Sequence, residues 1–254
     1  MRHIDLNADA GESFGAWQLG SDAELLPQLS SVNLACGFHA GDPLTMQRSV
    51  ALASEYGVAV GAHPGFSDLA GFGRRDLAAS ADDLYADVLY QTGALAAFLQ
   101  PFGRNLHHVK PHGALYLKML TDGPTAEAVV RAVRDFDPEL PLVGLAGPGG
   151  KMLVATAERL GVRVVLEAFP DRGYTDGGHL APRAAPGALI TDPDEVAARA
   201  LALARDGEVE TLSGRRLNLA AETLCLHGDA PHAPAAAKAV RRALRAAGIA
   251  VRAF

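Results

Sequence analysis

The sequence predicts an α/β fold in which parallel strands close, or nearly close, into a barrel. Three observations carry this. Short apolar runs alternate with longer helical patterns, the signature of βαβ units and a parallel sheet. Within the runs one side-chain phase is aliphatic and the other small or polar. Ionisable residues recur just after the runs, where (β/α) barrels place their active sites.

Seven runs read as strands: HIDLN at 3–7, SVNLA at 31–35, GVAVGA at 57–62, LHHVK at 106–110, PLVGLA at 141–146, VRVVLEA at 162–168 and ETLCLH at 222–227. Capping chemistry marks helix starts between them. Asp42 before Pro43, and Asp192 before Pro193, each pair an N-cap side chain with a proline at the first helical position. Glu195 follows Asp192, and Asp83 follows Ser80, at the spacing of a capping box. Leu84, Val88, Leu95 and Phe98 then repeat at helical intervals. Residues 233–248 make a last helix that stops at Gly248. Residues 207–219 read as a small hairpin turning at Ser213-Gly214. With no repeat, low-complexity tract or compositional break, residues 1–254 are expected to form one domain.

Composition narrows the function. The chain has 254 residues, 49% hydrophobic and 20% charged, with a net charge of -6, which lacks the basic face that nucleic acid requires. Two cysteines without a C-x-x-C spacing argue against a disulfide framework or a cysteine-rich zinc site. The N-terminus carries acids from residue 5, unlike a secretory signal, and no apolar run of about 18 residues offers a membrane span. A reduced, cytoplasmic setting is expected.

Strand phase points to one site. Asp5, Asn7 and Asp9 share a side against Ile4, Leu6 and Ala8; Gly61 and His63 oppose Val60 and Ala62; Cys225 and His227 oppose Leu224 and Leu226. In HHVKPHGALY, residues 107–116, His108, Lys110 and His112 share one phase, leaving His3 and His107 as structural or exposed groups. The polar residues at or after the runs are Asn7, Asp9 and Glu12; His39 and Asp42; His63; Lys110 and His112; Glu167, Asp171 and Arg172; His227 and Asp229. Six of the seven runs contribute. Asp42 also suits a plain helix cap, and a buried Lys110 needs a carboxylate, with Asp9 or Glu167 the candidates.

Lysine can stabilise an oxyanion or a phosphate, and carboxylates and histidines can move protons. The set suits hydrolysis of an acyl or amide bond, or of a phosphorylated form of one. His and Asp are also common metal ligands, but no H-E-x-x-H occurs, nor a G-x-S-x-G elbow. GLAGPGGK at 144–151 follows a strand and opens a helix, yet fails the phosphate-loop spacing: Leu145 stands where glycine belongs and Met152 follows the lysine. It reads as a tight turn with a phosphate contact as the alternative.

DLNADAGE at 5–12, NLACGFHAGD at 33–42, GAHPGFSD at 61–68, FGRR at 72–75, HVKPHGALY at 108–116, DRGY at 171–174 and CLHGD at 225–229 together resemble the LamB/YcsF family, in order and over nearly the whole chain. The resemblance implies a TIM-like (β/α)7 barrel of the glycoside hydrolase/deacetylase superfamily type. It implies opening of the lactam 5-oxo-L-proline to L-glutamate coupled to ATP hydrolysis, with partner subunits B and C of the same 5-oxoprolinase. ATP with Mg²⁺ is the expected cofactor, with none tightly bound and no metal ligand assigned. The expected catalytic residues are Asp9, Lys110, His112 and Asp229. Lys110 would stabilise the amide oxygen or its phosphate, Asp9 or Asp229 would position or deprotonate water, and His112 and His227 would shuttle protons. Asn7, Glu12, Asn33, His39, His63, Glu167, Asp171, Arg172 and His227 are expected to bind substrate, with Arg172 pairing to a carboxylate or phosphate. Two rivals stand: a metal-dependent amidohydrolase or deacetylase using Asp9 with His39, His63 or His112, and a non-catalytic binding subunit.

Overall fold

A computed structural model describes residues 2–254. Its strands are β1 (His3–Ala10), β2 (Ser31–Ala35), β3 (Ala59–His63), β4 (His108–Val109), β5 (Leu142–Leu145), β6 (Val164–Ala168), β7 (Glu208–Glu210), β8 (Arg216–Asn218), β9 (Thr223–Leu226) and β10 (Ala250–Val251). Seven of them form a parallel barrel in the order β1-β2-β3-β4-β5-β6-β9, and β9 pairs with β1 to close it. This is the predicted (β/α)7 barrel. β10 adds to the start of β1. The carbonyls of Arg2 and Ile4 accept from Ala250 and Arg252, while that of Leu6 accepts from Ser30. Carbonyls of alternate residues share an edge, so β10 fills the edge of β1 that β2 leaves free.

The helices are α1 (Asp22–Leu25), α2 (Pro43–Glu55), α3 (Ala81–Leu99), α4 (Gly113–Met119), α5 (Gly123–Phe136), α6 (Lys151–Leu160), α7 (Pro193–Asp206) and α8 (Ala233–Ala246). The predicted caps form. Asp42 accepts from the amides of Leu44 and Thr45, Ser80 and Asp83 make a reciprocal box, and Asp192 accepts from Asp194 and Glu195. The hairpin forms too, as the antiparallel pair β7–β8.

The aliphatic phase of the strands meets the helices. Leu6, Leu34 and Val60 pack with Met46 and Val50 of α2 and Leu84, Val88 and Leu95 of α3, all buried. Each such side chain contributes about 1.5–3 kcal/mol on burial. Gly144 lets α6 approach, since a Cβ there would meet Leu153 at 2.5 Å. Gly61 faces the interior, where a Cβ would overlap the His108 ring at 2.1 Å. Glycine at 61 is thus what admits an imidazole into the barrel.

Two predicted boundaries shift. The run at 106–110 contracts to a two-residue strand, because Pro111 has no amide to extend the ladder. The run at 57–62 starts later and ends on His63, since Gly57 has φ +65° and terminates the preceding helix. Between β6 and α7, residues 169–192 form a long segment pinned by short bridges, Arg172 with Leu189 and Tyr174 with Leu180. Among the described residues no helix is long and apolar enough to cross a membrane.

Candidate active site

The barrel interior is polar and layered. At the bottom, Asp5 accepts from the hydroxyls of Ser30, Ser31 and Thr223 at 2.6, 2.8 and 2.5 Å. Above it, Asn7 donates to Glu167 at 3.1 Å and to Thr223 at 2.6 Å, and Asn33 donates to Asn7 at 2.7 Å and to Asp9 at 2.9 Å. His108 Nε2 lies 2.6 Å from Asn33 Oδ1 and so donates to it. Satisfied partners are what make such burial tolerable.

On this stack sits Lys110, 2% exposed, at the end of β4. Its ammonium reaches Asp9 Oδ1 at 3.0 Å, Glu167 Oε1 at 3.1 Å and Cys225 Sγ at 2.9 Å. An ammonium has three protons, so each is committed. Both carboxylates anticipated for Lys110 are therefore used. Burial opposes the charges here, but the pairing prevails: Asp9 and Glu167, with Cys225, raise Lys110 well above its ordinary 10.5, while His63 and Lys110 hold Asp9 well below the usual carboxylate range. Burial pushes Glu167 and Cys225 up, against the opposing charge of Lys110. Phe169 covers the ammonium 5.1 Å from its ring centre.

Beside Asp9 gather four residues from four segments: Glu12 after β1, His39 after β2, His63 ending β3 and His112 capping α4. Asp9 Oδ2 is 3.4 Å from His63 Nε2, and His112 Nδ1 is 3.1 Å from the same nitrogen. Burial, then the charges of Asp9 and Asp229, raise Glu12 well above its ordinary 4.5. Burial lowers His39 and His112 well below 6.5.

A cavity of about 700 Å³ opens over this floor at the carboxyl ends of the strands. Asp9, Glu12, His63, Lys110 and His112 form its polar base, with Tyr116, Leu117, Phe169 and Leu180 as apolar walls. Arg74, Arg183 and Lys118 stand around it as cations. Burial and the neighbouring charge of Arg74 lower Arg183, as expected of two guanidiniums facing one anion-sized space.

All four residues expected to be catalytic line this cavity, Asp9, Lys110 and His112 at its base and Asp229 at the rim, ion-paired to Arg74. Of the expected binding residues, Glu12, His63, Arg172 and His227 line it. Asn7, Asn33, His39, Glu167 and Asp171 do not; they lie behind the lining and hold it. Asp171 accepts from His227 Nδ1 at 2.8 Å and from the His227 amide at 2.9 Å. Arg172 makes no ion pair with Asp171 among the described residues. It donates to the carbonyls of Ala188 and Ala181 at 3.1 and 2.7 Å, because the 169–192 segment folds back over its guanidinium. His107, out of phase, bonds the Phe254 carbonyl; His3 shares the phase of Asp5 and Asn7 but lies exposed at the start of β1, beside Arg252. The 144–151 turn is tight, with a Cβ at Gly150 falling 1.8 Å from the Leu145 carbonyl, and it stands outside the cavity lining. Sequence reasoning missed Arg74, Arg183, Cys225 and Tyr116. Arg74 lay inside the FGRR motif and Cys225 on the inward phase of its strand; Arg183 gave no local signal.

With this geometry established, comparison decides the kinship. A sequence profile described as LamB/YcsF family matches residues 4–254. The chain belongs to the LamB/YcsF family. Within it, the chain is 58% identical over 251 residues to the A subunit of 5-oxoprolinase from Thermus thermophilus, covering 99% of each, and 54% identical over 245 residues to that of Deinococcus radiodurans, covering 96% of this chain and 95% of the relative. The crystal structure of a lactam utilization protein from Thermus thermophilus superposes with a TM-score of 0.94 at 57% identity, covering 99% of this chain and 100% of that one. A truncated 3-deoxy-D-arabino-heptulosonate 7-phosphate synthase from Thermotoga maritima, 10% identical with a TM-score of 0.50, covers 98% of this chain and 90% of its own, and shares the fold alone.

Proposed function

We propose that this LamB/YcsF chain is the lactam-opening subunit of an ATP-dependent 5-oxoprolinase, converting 5-oxo-L-proline to L-glutamate as ATP becomes ADP and phosphate. The observation that carries the reading is the ionised Asp9, braced by Lys110 beside His63 and His112 at the base of a cavity of about 700 Å³, in a chain whose relatives bear that enzyme's name.

A five-membered lactam is a poor electrophile. Attack of its oxygen on the γ-phosphorus of ATP releases ADP and leaves an activated ring carbon. Water adds to that carbon as Asp9 takes its proton. The ring C–N bond then breaks, the nitrogen accepting the proton that Asp9 took from water. A second water displaces phosphate from the resulting acyl phosphate, which yields glutamate. Arg183 at the rim suits the substrate carboxylate or the transferred phosphoryl group, while Arg74 and Lys118 are paired to Asp229 and Asp76. Lys110 acts chiefly by keeping Asp9 ionised, because its own protons are committed. The 144–151 turn lies outside the cavity lining, and ATP with its Mg²⁺ joins in the complete enzyme, in the cytoplasm where ATP is made.

The test mixes this chain with candidate B and C subunits, ATP and Mg²⁺, and measures glutamate and phosphate from 5-oxoproline. Equal release of both is expected, lost when any component is omitted and reduced at least about 100-fold by Asp9→Asn. Full turnover without this chain, or wild-type turnover by Asp9→Asn, would sink the reading in favour of a non-catalytic role.

A further inference from the structure

The cluster beside Asp9 brings together ring nitrogens that call for a positive charge between them. His63 Nδ1 lies 2.6 Å from the carbonyl of Lys110. A carbonyl only accepts, so Nδ1 carries a proton, and a neutral ring leaves Nε2 bare. His112 Nε2 lies 2.8 Å from the carbonyl of Phe72, which by the same logic leaves Nδ1 bare. These two bare nitrogens face each other at 3.1 Å. Two lone pairs at that separation repel unless a proton or a metal cation lies between or beside them.

Two further donors point into the same space without partners. Glu12 Oε1 and His39 Nε2 are buried and make no hydrogen bond. Buried polar atoms are seldom left so. Glu12 Oε1 is 3.7 Å from His112 Nδ1 and 3.8 Å from His39 Nε2. Those gaps are too long for hydrogen bonds. They suit two ligands of one ion: with bonds of about 2.0–2.1 Å, a tetrahedral centre separates its ligand atoms by about 3.3–3.4 Å. One ligand-capable atom from each of Glu12, His39, His63 and His112 lies within 4.8 Å of the other three.

We propose that Glu12, His63 and His112, with His39 as a fourth donor, form a binding site for a first-row divalent cation of the zinc type. His39 stacks on His112 at 3.8 Å, with its Nε2 3.8 Å from Glu12 Oε1. Three imidazoles and one carboxylate select zinc, cobalt or nickel over magnesium or calcium, which prefer all-oxygen sites. The carbonyls of Lys110 and Phe72 behind His63 and His112 are the supports that fix a ligating imidazole's tautomer. Because Glu12, His63 and His112 also line the cavity, the open side of such an ion faces the substrate space, beside Asp9. This site is additional to the Mg²⁺ that accompanies ATP, and it departs from the expectation of no protein-bound metal. It does not depend on the 5-oxoprolinase reading, since it can be measured without ATP, substrate or partners.

The test uses the full-length, untagged chain stripped with a chelator and then dialysed against Zn²⁺ or Co²⁺. The expected result is one equivalent of zinc retained per chain and, with cobalt, the intense visible bands of a low-coordinate centre with nitrogen ligands. His63→Gln and His112→Gln should each weaken retention by at least about 10-fold, with near-ultraviolet circular dichroism confirming the fold. Should a variant fail to fold, ¹⁵N spectra of wild-type imidazoles serve: zinc should shift Nε2 of His63 and Nδ1 of His112 while leaving the opposite nitrogens protonated. Failure of the wild-type chain to retain zinc or cobalt, retention unchanged in the folded His63→Gln, His112→Gln double variant, or a proton shared between His63 and His112 in the presence of zinc would each overturn the site.

Discussion

Lys110 holds two buried acids, Asp9 and Glu167, in place with one ammonium, which lies over the Phe169 ring. Removing one partner from a buried ionic cluster costs more than the cluster ever contributed, because the remaining charges lose their compensation. Lys110→Ala should therefore lower unfolding free energy by about 3–5 kcal/mol, read from urea titrations, besides abolishing turnover. Loss of turnover in that variant alone would not establish a chemical role. Combining it with Glu167→Gln should recover part of the stability, since one stranded carboxylate becomes an amide; no recovery would refute the shared-cation account. Strand alternation made this residue legible, because Lys110, His63 and Asp9 occupy the inward phase that the aliphatic neighbours define. Arg183 was not legible. It reaches the rim through a segment with no periodicity, and nothing local says that carbonyls would surround Arg172.

Among the elements, the helix caps were the most readable features, since an N-cap works within three residues of itself. Asp42 accepts the amides of Gly15 and Leu44 at 3.0 Å each and the Thr45 hydroxyl at 2.6 Å. The Thr45 hydroxyl first, then the Gly15 amide, hold its carboxyl at about 2, below the ordinary 3.8. A depressed acid stabilises the fold above its unfolded value and ceases to do so as pH falls through the folded one. Asp42→Ala should cost about 1 kcal/mol near neutrality, and the gap from wild type should close as pH drops from 3.8 towards about 2. A gap that stays constant across that range in denaturant titrations would refute the cap. Strand lengths and α4 were less readable. β4 is cut short by one proline, and α4 opens on Gly113 at φ +53°, a start that no side-chain cap announces.

At the scale of the molecule, both chain ends meet on β1. Ile249 is buried, β10 pairs with residues 3–4, and the Phe254 ring lies 4.6 Å from that of His107. Deleting residues 249–254 should cost about 3 kcal/mol, one buried aliphatic side chain plus two net hydrogen bonds, measured as a shift of the denaturation midpoint; an unchanged midpoint would show that the barrel closes without its last strand. The barrel itself was legible from strand and helix alternation, with six of the seven runs carrying polar groups toward one interior and β5 the exception. The stacked side chains of Asp5, Ser31, Thr223, Asn7, Asn33 and His108 also stopper the cylinder from below. Reactants and products consequently share one doorway, and whichever protein sits across it governs arrival and departure alike.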